Sequence, residues 1–191
     1  MNTFELGGIV FVSNRMQSDY CYKLDAPMGV FPKQIFSPSF TPNEMLRAGV
    51  FEGKYMTDCK SEYPESMFTG ARFSATPDPV NFNAFKAKSR NPLSYWREQG
   101  WINANDPRGW FEWYCRFWLG RRTNDDARQI ARWQRFAPRF AGTVRAKGQE
   151  DVSKCKATRQ GLLQWSHDPL PDFPTLEGES AFAKLQRIVS I

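Results

Sequence analysis

Histidine is almost missing from this sequence: His167 stands alone among 191 residues. An HExxH zinc-protease helix and a two-histidine zinc finger are therefore excluded. The four cysteines, Cys21, Cys59, Cys115 and Cys155, lie far apart and form no CxxC pair. That spacing fits neither a zinc ribbon nor a disulfide-dense secreted scaffold. No apolar run approaches the ~20 residues that a membrane helix needs. Walker and GxGxxG patterns are absent too, which argues against nucleotide hydrolysis and NAD chemistry. Residues 1–12 hold an acid and no basic stretch, unlike a secretory signal. These absences describe a cytoplasmic, reduced, soluble protein with no membrane partner, no metal and no cofactor.

Aromatic residues and arginine are what the chain has in quantity. Aromatics make up 15% of it, and the formal charge is +6. The excess is concentrated: residues 108–160 hold thirteen Lys/Arg against five Asp/Glu, a net of +8, so the remainder nets −2. A basic segment in a mildly acidic frame points to a polyanionic partner. A solvated surface face is the plain alternative.

The chain is long enough for one domain with its own core. Short strands are expected in residues 1–40, a helical body in 41–170, and a docking helix in 175–191. Residues 4–13 (FELGGIVFVS) read as a strand, and 19–24 (DYCYKL) as its hairpin partner. Thr41-Pro42-Asn43-Glu44 is a capping box with proline at the first helical position. Residues 63–83 form a long polar loop, a candidate pocket edge together with the glycine-flanked connector 49–59. Asp106-Pro107 opens a helix rich in aromatics, with Asp106 as its cap. Trp110, Trp113, Tyr114, Phe117 and Trp118 cover one broad face, and Glu112 with Arg116 forms a polar strip opposite. A second helix starts at residues 123–126 and is expected to end near Ala137, before Pro138. Residues 141–153 then read as a polar connector. The fold class expected is α+β: a small N-terminal antiparallel sheet or hairpin with a mainly helical body.

For binding, Arg121, Arg122, Arg128, Arg132 and Arg135 are the candidates, with Arg139 in line if the helix persists. Guanidinium groups grip phosphates bidentately and stay charged. Trp101 and Tyr55 sit near turns and are candidates for stacking on bases, although a core role is the simpler reading. For catalysis, Asp58 with Cys59 is the leading pair, ahead of Glu52, Glu62 and Asp106. His167 would be the base of any Ser-His or Cys-His arrangement. A zinc site from Cys59, Cys155 and His167 has no supporting spacing.

Three segments, 43–58 (NEMLRAGVFEGKYMTD), 106–133 (DPRGWFEWYCRFWLGRRTNDDARQIARW) and 159–165 (RQGLLQW), together resemble an uncharacterised family of phage and cellular proteins. The resemblance implies a DNA-modification setting and assigns no residue a role. The function expected is DNA binding, with modification, repair or processing of bases as the associated chemistry. The alternatives are a non-catalytic phage or host interaction module and a structural or assembly protein with a basic face.

Overall fold

The computed structural model describes residues 2–74 and 80–191. It is an α+β protein, with one two-stranded antiparallel sheet and six α-helices among the described residues. The chain groups into two compact units, each built from three separate stretches.

The first unit contains Met1–Ser37, Met56–Phe68 and Asn91–Ala131. Its hairpin pairs β1 (Ile9–Asn14) with β2 (Gln17–Lys23), in register Val10↔Tyr22 and Val12↔Tyr20. Alternation sets the faces: Val10, Val12 and Tyr22 are buried, while Ile9 and Phe11 face outward. A short helix, α1 (Pro42–Arg47), belongs to the second unit, and α2 (Leu93–Glu98) and α3 (Trp110–Leu119) belong to the first. The α3 aromatics form the core expected of them. Phe36 meets Trp113, Tyr114 and Phe117 edge-on, with ring centroids 5.5–5.6 Å apart.

One local reading of α3 is corrected and one is extended. Asp106 does not cap it; the helix begins after Gly109, whose φ of 85° suits glycine. Asp106 instead bonds Arg116 (3.1 Å) and Arg121 (2.7 Å). Glu112 and Arg116 form the i,i+4 ion pair expected of them, 3.4 Å apart, but inside the protein. Both are 0% exposed, and α3 is polar on the inside as well as aromatic.

The second unit contains Pro38–Tyr55, Thr69–Arg90 and Arg132–Ile191. In α1 the capping box forms as read: Thr41 accepts from the Glu44 amide, and Glu44 accepts from the Thr41 amide. The helix α4 (Asp126–Lys147) does not stop before Pro138. It continues for two more turns through what the sequence suggested was a connector. Packing explains the persistence. Ala141 and Val144, beyond the proline, are buried with Leu162 of α5 (Lys156–Gln164). Burial of an apolar face outweighs a proline's lost hydrogen bond, which costs ~3 kcal/mol. Gly161 lets α5 come close: a Cβ there would lie 2.9 Å from Ser89 Oγ and 3.6 Å from Phe136 Cζ. The last helix, α6 (Ala181–Val189), is capped by Ser180 and buries Phe182 and Leu185. No helix among the described residues is long and apolar enough to cross a membrane.

Candidate nucleic-acid interface

The two units divide the charge unequally. The first carries ten Lys/Arg against eleven Asp/Glu, and the second sixteen against nine, so all of the excess lies in the second. Within it, the part of α4 from residue 132 to 147 (RWQRFAPRFAGTVRAK) holds five cations and no carboxylate. Arg135, Arg139, Arg145 and Lys147 are exposed, and Arg132 is half-buried.

The spacing on this helix is regular. Arg132-Trp133, Arg135-Phe136 and Arg139-Phe140 are three Arg–aromatic pairs at i, i+3 and i+7. At about 100° per residue, the three guanidinium-bearing positions fall within about 60° of one another. The three aromatic positions form a neighbouring stripe of similar width. From Arg132 to Arg139 the axis rises about 10 Å.

The aromatic stripe is the base of a pile of nearly parallel rings. Phe136 stacks on Phe140 (4.3 Å, 18°) and on Trp165 (5.0 Å, 16°). His167 lies parallel to Phe136 (6.2 Å, 2°) and stacks on Trp133 (4.5 Å, 20°). Trp133 and His167 are buried, while Phe136, Phe140 and Trp165 are half-buried. Guanidiniums cover the more open rings: Arg132 lies 5.6 Å from the Trp165 centroid and Arg139 5.7 Å from that of Phe140. Such contacts add favourable energy, and Arg139 remains exposed.

His167 belongs to this pile as an uncharged ring. Burial pushes its pKa down to about 4, although the bond between Nε2 and the Trp133 carbonyl (3.0 Å) acts the other way. The neutral imidazole donates Nε2–H to that carbonyl. It is neither exposed nor paired with a nucleophile, and Asp168 beside it in sequence bonds Lys184 instead.

The other arginine candidates have different positions. Arg121 is 1% exposed and bonds Asp106 and the Tyr20 hydroxyl. Arg122 donates to the carbonyls of Phe117 (2.8 Å), Arg121 (2.8 Å) and Val30 (2.5 Å) and sits over the Phe117 ring. Burial lowers its pKa. Arg128 forms a two-pronged pair with Asp125 (2.5 and 2.9 Å), which raises its pKa. Of the five, Arg132 and Arg135 lie on the acid-free part of α4.

The buried arginines belong to a charge network inside the first unit. Arg116 is fully buried. It bonds both oxygens of Glu62 (2.6 and 3.1 Å) and Asp106 (3.1 Å), and lies 3.4 Å from Glu112. Burial opposes its charge, but Tyr63, Glu62 and Glu112 more than compensate and raise its pKa. Glu62 also accepts from the Tyr22 hydroxyl. Asp58 is held by Arg108 (3.0 Å) and accepts the Arg15 amide. Cys59 is fully buried, with its Sγ 3.7 Å from Met56 Sδ, and burial pushes its thiol up to about 12. A thiol so held is protonated at neutral pH and is a poor nucleophile. Glu52 pairs with Arg90 (2.6 Å) in the second unit.

Trp101 is partly exposed, standing edge-on to Tyr95 and Trp96, and Tyr55 lies tilted against Phe51 at 4.8 Å. No three His, Cys, Asp or Glu side chains among the described residues are grouped to hold a metal ion. Reasoning from sequence missed Phe136, Phe140 and Trp165. The signal was present in the repeated Arg–aromatic pairs, but it is visible only if the helix is carried through Pro138. Comparison with family models, with curated proteins and with solved structures returned no match.

Proposed function

We propose that this protein binds nucleic acid through the cationic face of α4, with Arg132, Arg135 and Arg139 holding backbone phosphates. The observation that carries this reading is the row of arginines on a helix stretch without a carboxylate. Several arginines elsewhere are matched to acids: Arg90 to Glu52, Arg159 to Asp172, Arg187 to Glu179. On this face Arg135 and Arg139 are exposed, so an anion can reach them from solvent. A rise of about 10 Å spans about three nucleotides of one strand, so three guanidiniums can each meet a phosphate. DNA is the first partner to test, and Asp58 and Cys59 have no part in this face.

The test is titration of labelled DNA at several salt concentrations, followed by fluorescence anisotropy. Three to five phosphate contacts give a slope of log K against log salt of roughly −2 to −4. Arg135→Gln combined with Arg139→Gln should flatten that slope by roughly 1.5 to 2. Affinity that stays flat with salt, or a double variant indistinguishable from the parent, overturns the reading.

A further inference from the structure

The arginines account for a grip on phosphates, but not for the rings interleaved with them. Folded cores commonly pair aromatics edge-to-face or offset, as around Phe36, where the rings meet at 69–88°. The α4 pile differs in two ways. Phe140, Phe136 and Trp165 lie within 18° of parallel with their neighbours, and all three are half-buried. The pile therefore reaches the surface, and it does so along the arginine row.

We infer that this surface takes a strand with unpaired bases, and that a base stacks on the Phe140 end of the pile while the adjoining phosphates sit on Arg135 and Arg139. The inference rests on the nucleic-acid reading above and names its substrate class: single-stranded DNA or RNA, not duplex. In a duplex the base faces are covered by their neighbours, and only backbone and groove edges are available. In a single strand the π-face is open, and stacking on protein rings is tolerant of sequence because every base has one. The geometry suits this. Phe140 packs against Phe136 and the Ala141, Val144 and Leu162 cluster, stays half-buried, and is approached by the Arg139 guanidinium at 5.7 Å. Arg139 is exposed, so its side chain can swing aside and close over an incoming base as the second half of a sandwich. Arg132 stands over the half-buried Trp165 ring at 5.6 Å. His167 completes the pile as a neutral ring at physiological pH, so the pile itself adds no titrating charge.

The experiment compares four probes with the unmodified protein: a DNA 12-mer, the RNA of the same sequence, the DNA duplex, and an abasic strand with the same phosphates. Stacking of one base predicts that the better of the two single strands binds roughly 5- to 150-fold more tightly than the abasic strand. Phe140→Leu should remove most of that ratio without changing the salt slope, and Phe140→Tyr should restore it. The comparison of probes uses the parent protein alone, so it stands even if the leucine variant folds poorly. Equal affinity for the abasic strand and both single strands overturns the stacking inference and leaves phosphate binding intact. Tighter binding of duplex than of either single strand overturns it as well. If none of the four probes binds, the nucleic-acid reading itself fails.

Discussion

Replacing Glu112 by glutamine is expected to stabilise the protein at alkaline pH. In the first unit four carboxyl groups, Asp58, Glu62, Asp106 and Glu112, meet three guanidiniums, Arg108, Arg116 and Arg121. With every group charged, this interior would carry a net negative charge. Retaining one proton removes it, and Glu112 is where the proton is held best. Its carboxyl is 0% exposed, and burial pushes its pKa up to about 7, against the opposing pull of Arg116 and the Arg108 amide. The sign follows from linkage. A folded pKa above the unfolded one gives stability that is complete below pH ~4.5 and is lost as pH rises through ~7. Fully developed, the loss amounts to about 3 kcal/mol. Glutamine keeps the shape, has no proton to lose and escapes this penalty. Urea unfolding followed by tryptophan fluorescence, at pH 4.5, 6 and 8.5, measures both proteins. The difference between them should move in favour of glutamine by ~2–3 kcal/mol from the lowest pH to the highest. A difference constant within ~0.5 kcal/mol would refute the reasoning, because Glu112 would then be ionised throughout.

Three further perturbations test other parts of the structure. Arg116→Met leaves Glu62, Asp106 and Glu112 buried without their common partner, and should cost ~3–5 kcal/mol in urea unfolding; a cost below ~1 kcal/mol would mean that the network contributes little. The sole imidazole can be followed directly by NMR. His167 should titrate near pH 4, and stability should fall by up to ~3 kcal/mol as pH drops from ~6.5 to ~4, because the folded state resists the proton that the unfolded state accepts. An imidazole that titrates at 6 or above contradicts its burial in the ring pile. Gly49→Ala should lower stability by at least ~2 kcal/mol in thermal melts, since φ is 75° and the new Cβ would stand 1.8 Å from the Phe82 carbonyl oxygen. Gly100→Ala, with φ of 66° and nothing within 4 Å, isolates the backbone part and should cost only ~1 kcal/mol.

Local chemistry was the most legible part of the sequence. Thr41 and Glu44 lie three residues apart, so their capping box depends on nothing distant. The hairpin follows from alternation around Val10 and Val12. Readings failed where a distant partner decides. Asp106 resembles a cap, but Arg116 and Arg121 compete for its oxygens, and two charged bonds outweigh one to a helix amide. Glu112 and Arg116 at i, i+4 are legible as an ion pair, and the pair forms. Only Glu62, fifty or more residues earlier in the chain, shows that the pair is internal. Pro138 looks like a terminus because the sequence does not show Leu162 waiting to bury Ala141 and Val144. That one misreading left Arg139 conditional and hid the role of Phe140, since both come after the proline.

The density of arginines in a segment is therefore a poor guide to binding unless carboxylates are counted over the same helical stretch. Arg121 and Arg132 belong to one basic run, yet the first is closed in by Asp106 and Tyr20, while the second stands over a half-buried ring. Between residues 106 and 128, five arginines share the stretch with Asp106, Glu112, Asp125 and Asp126. Paired charges of this kind orient side chains and neutralise one another, so little field extends outward. Between 132 and 147 there is no acid, and the five cations there repel one another along the helix. An arrangement that stores repulsion is relieved by a polyanion, which releases its own counterions on binding. The acid-free cluster of five cations is thus local to one helix, and the net charge of the whole chain does not locate it.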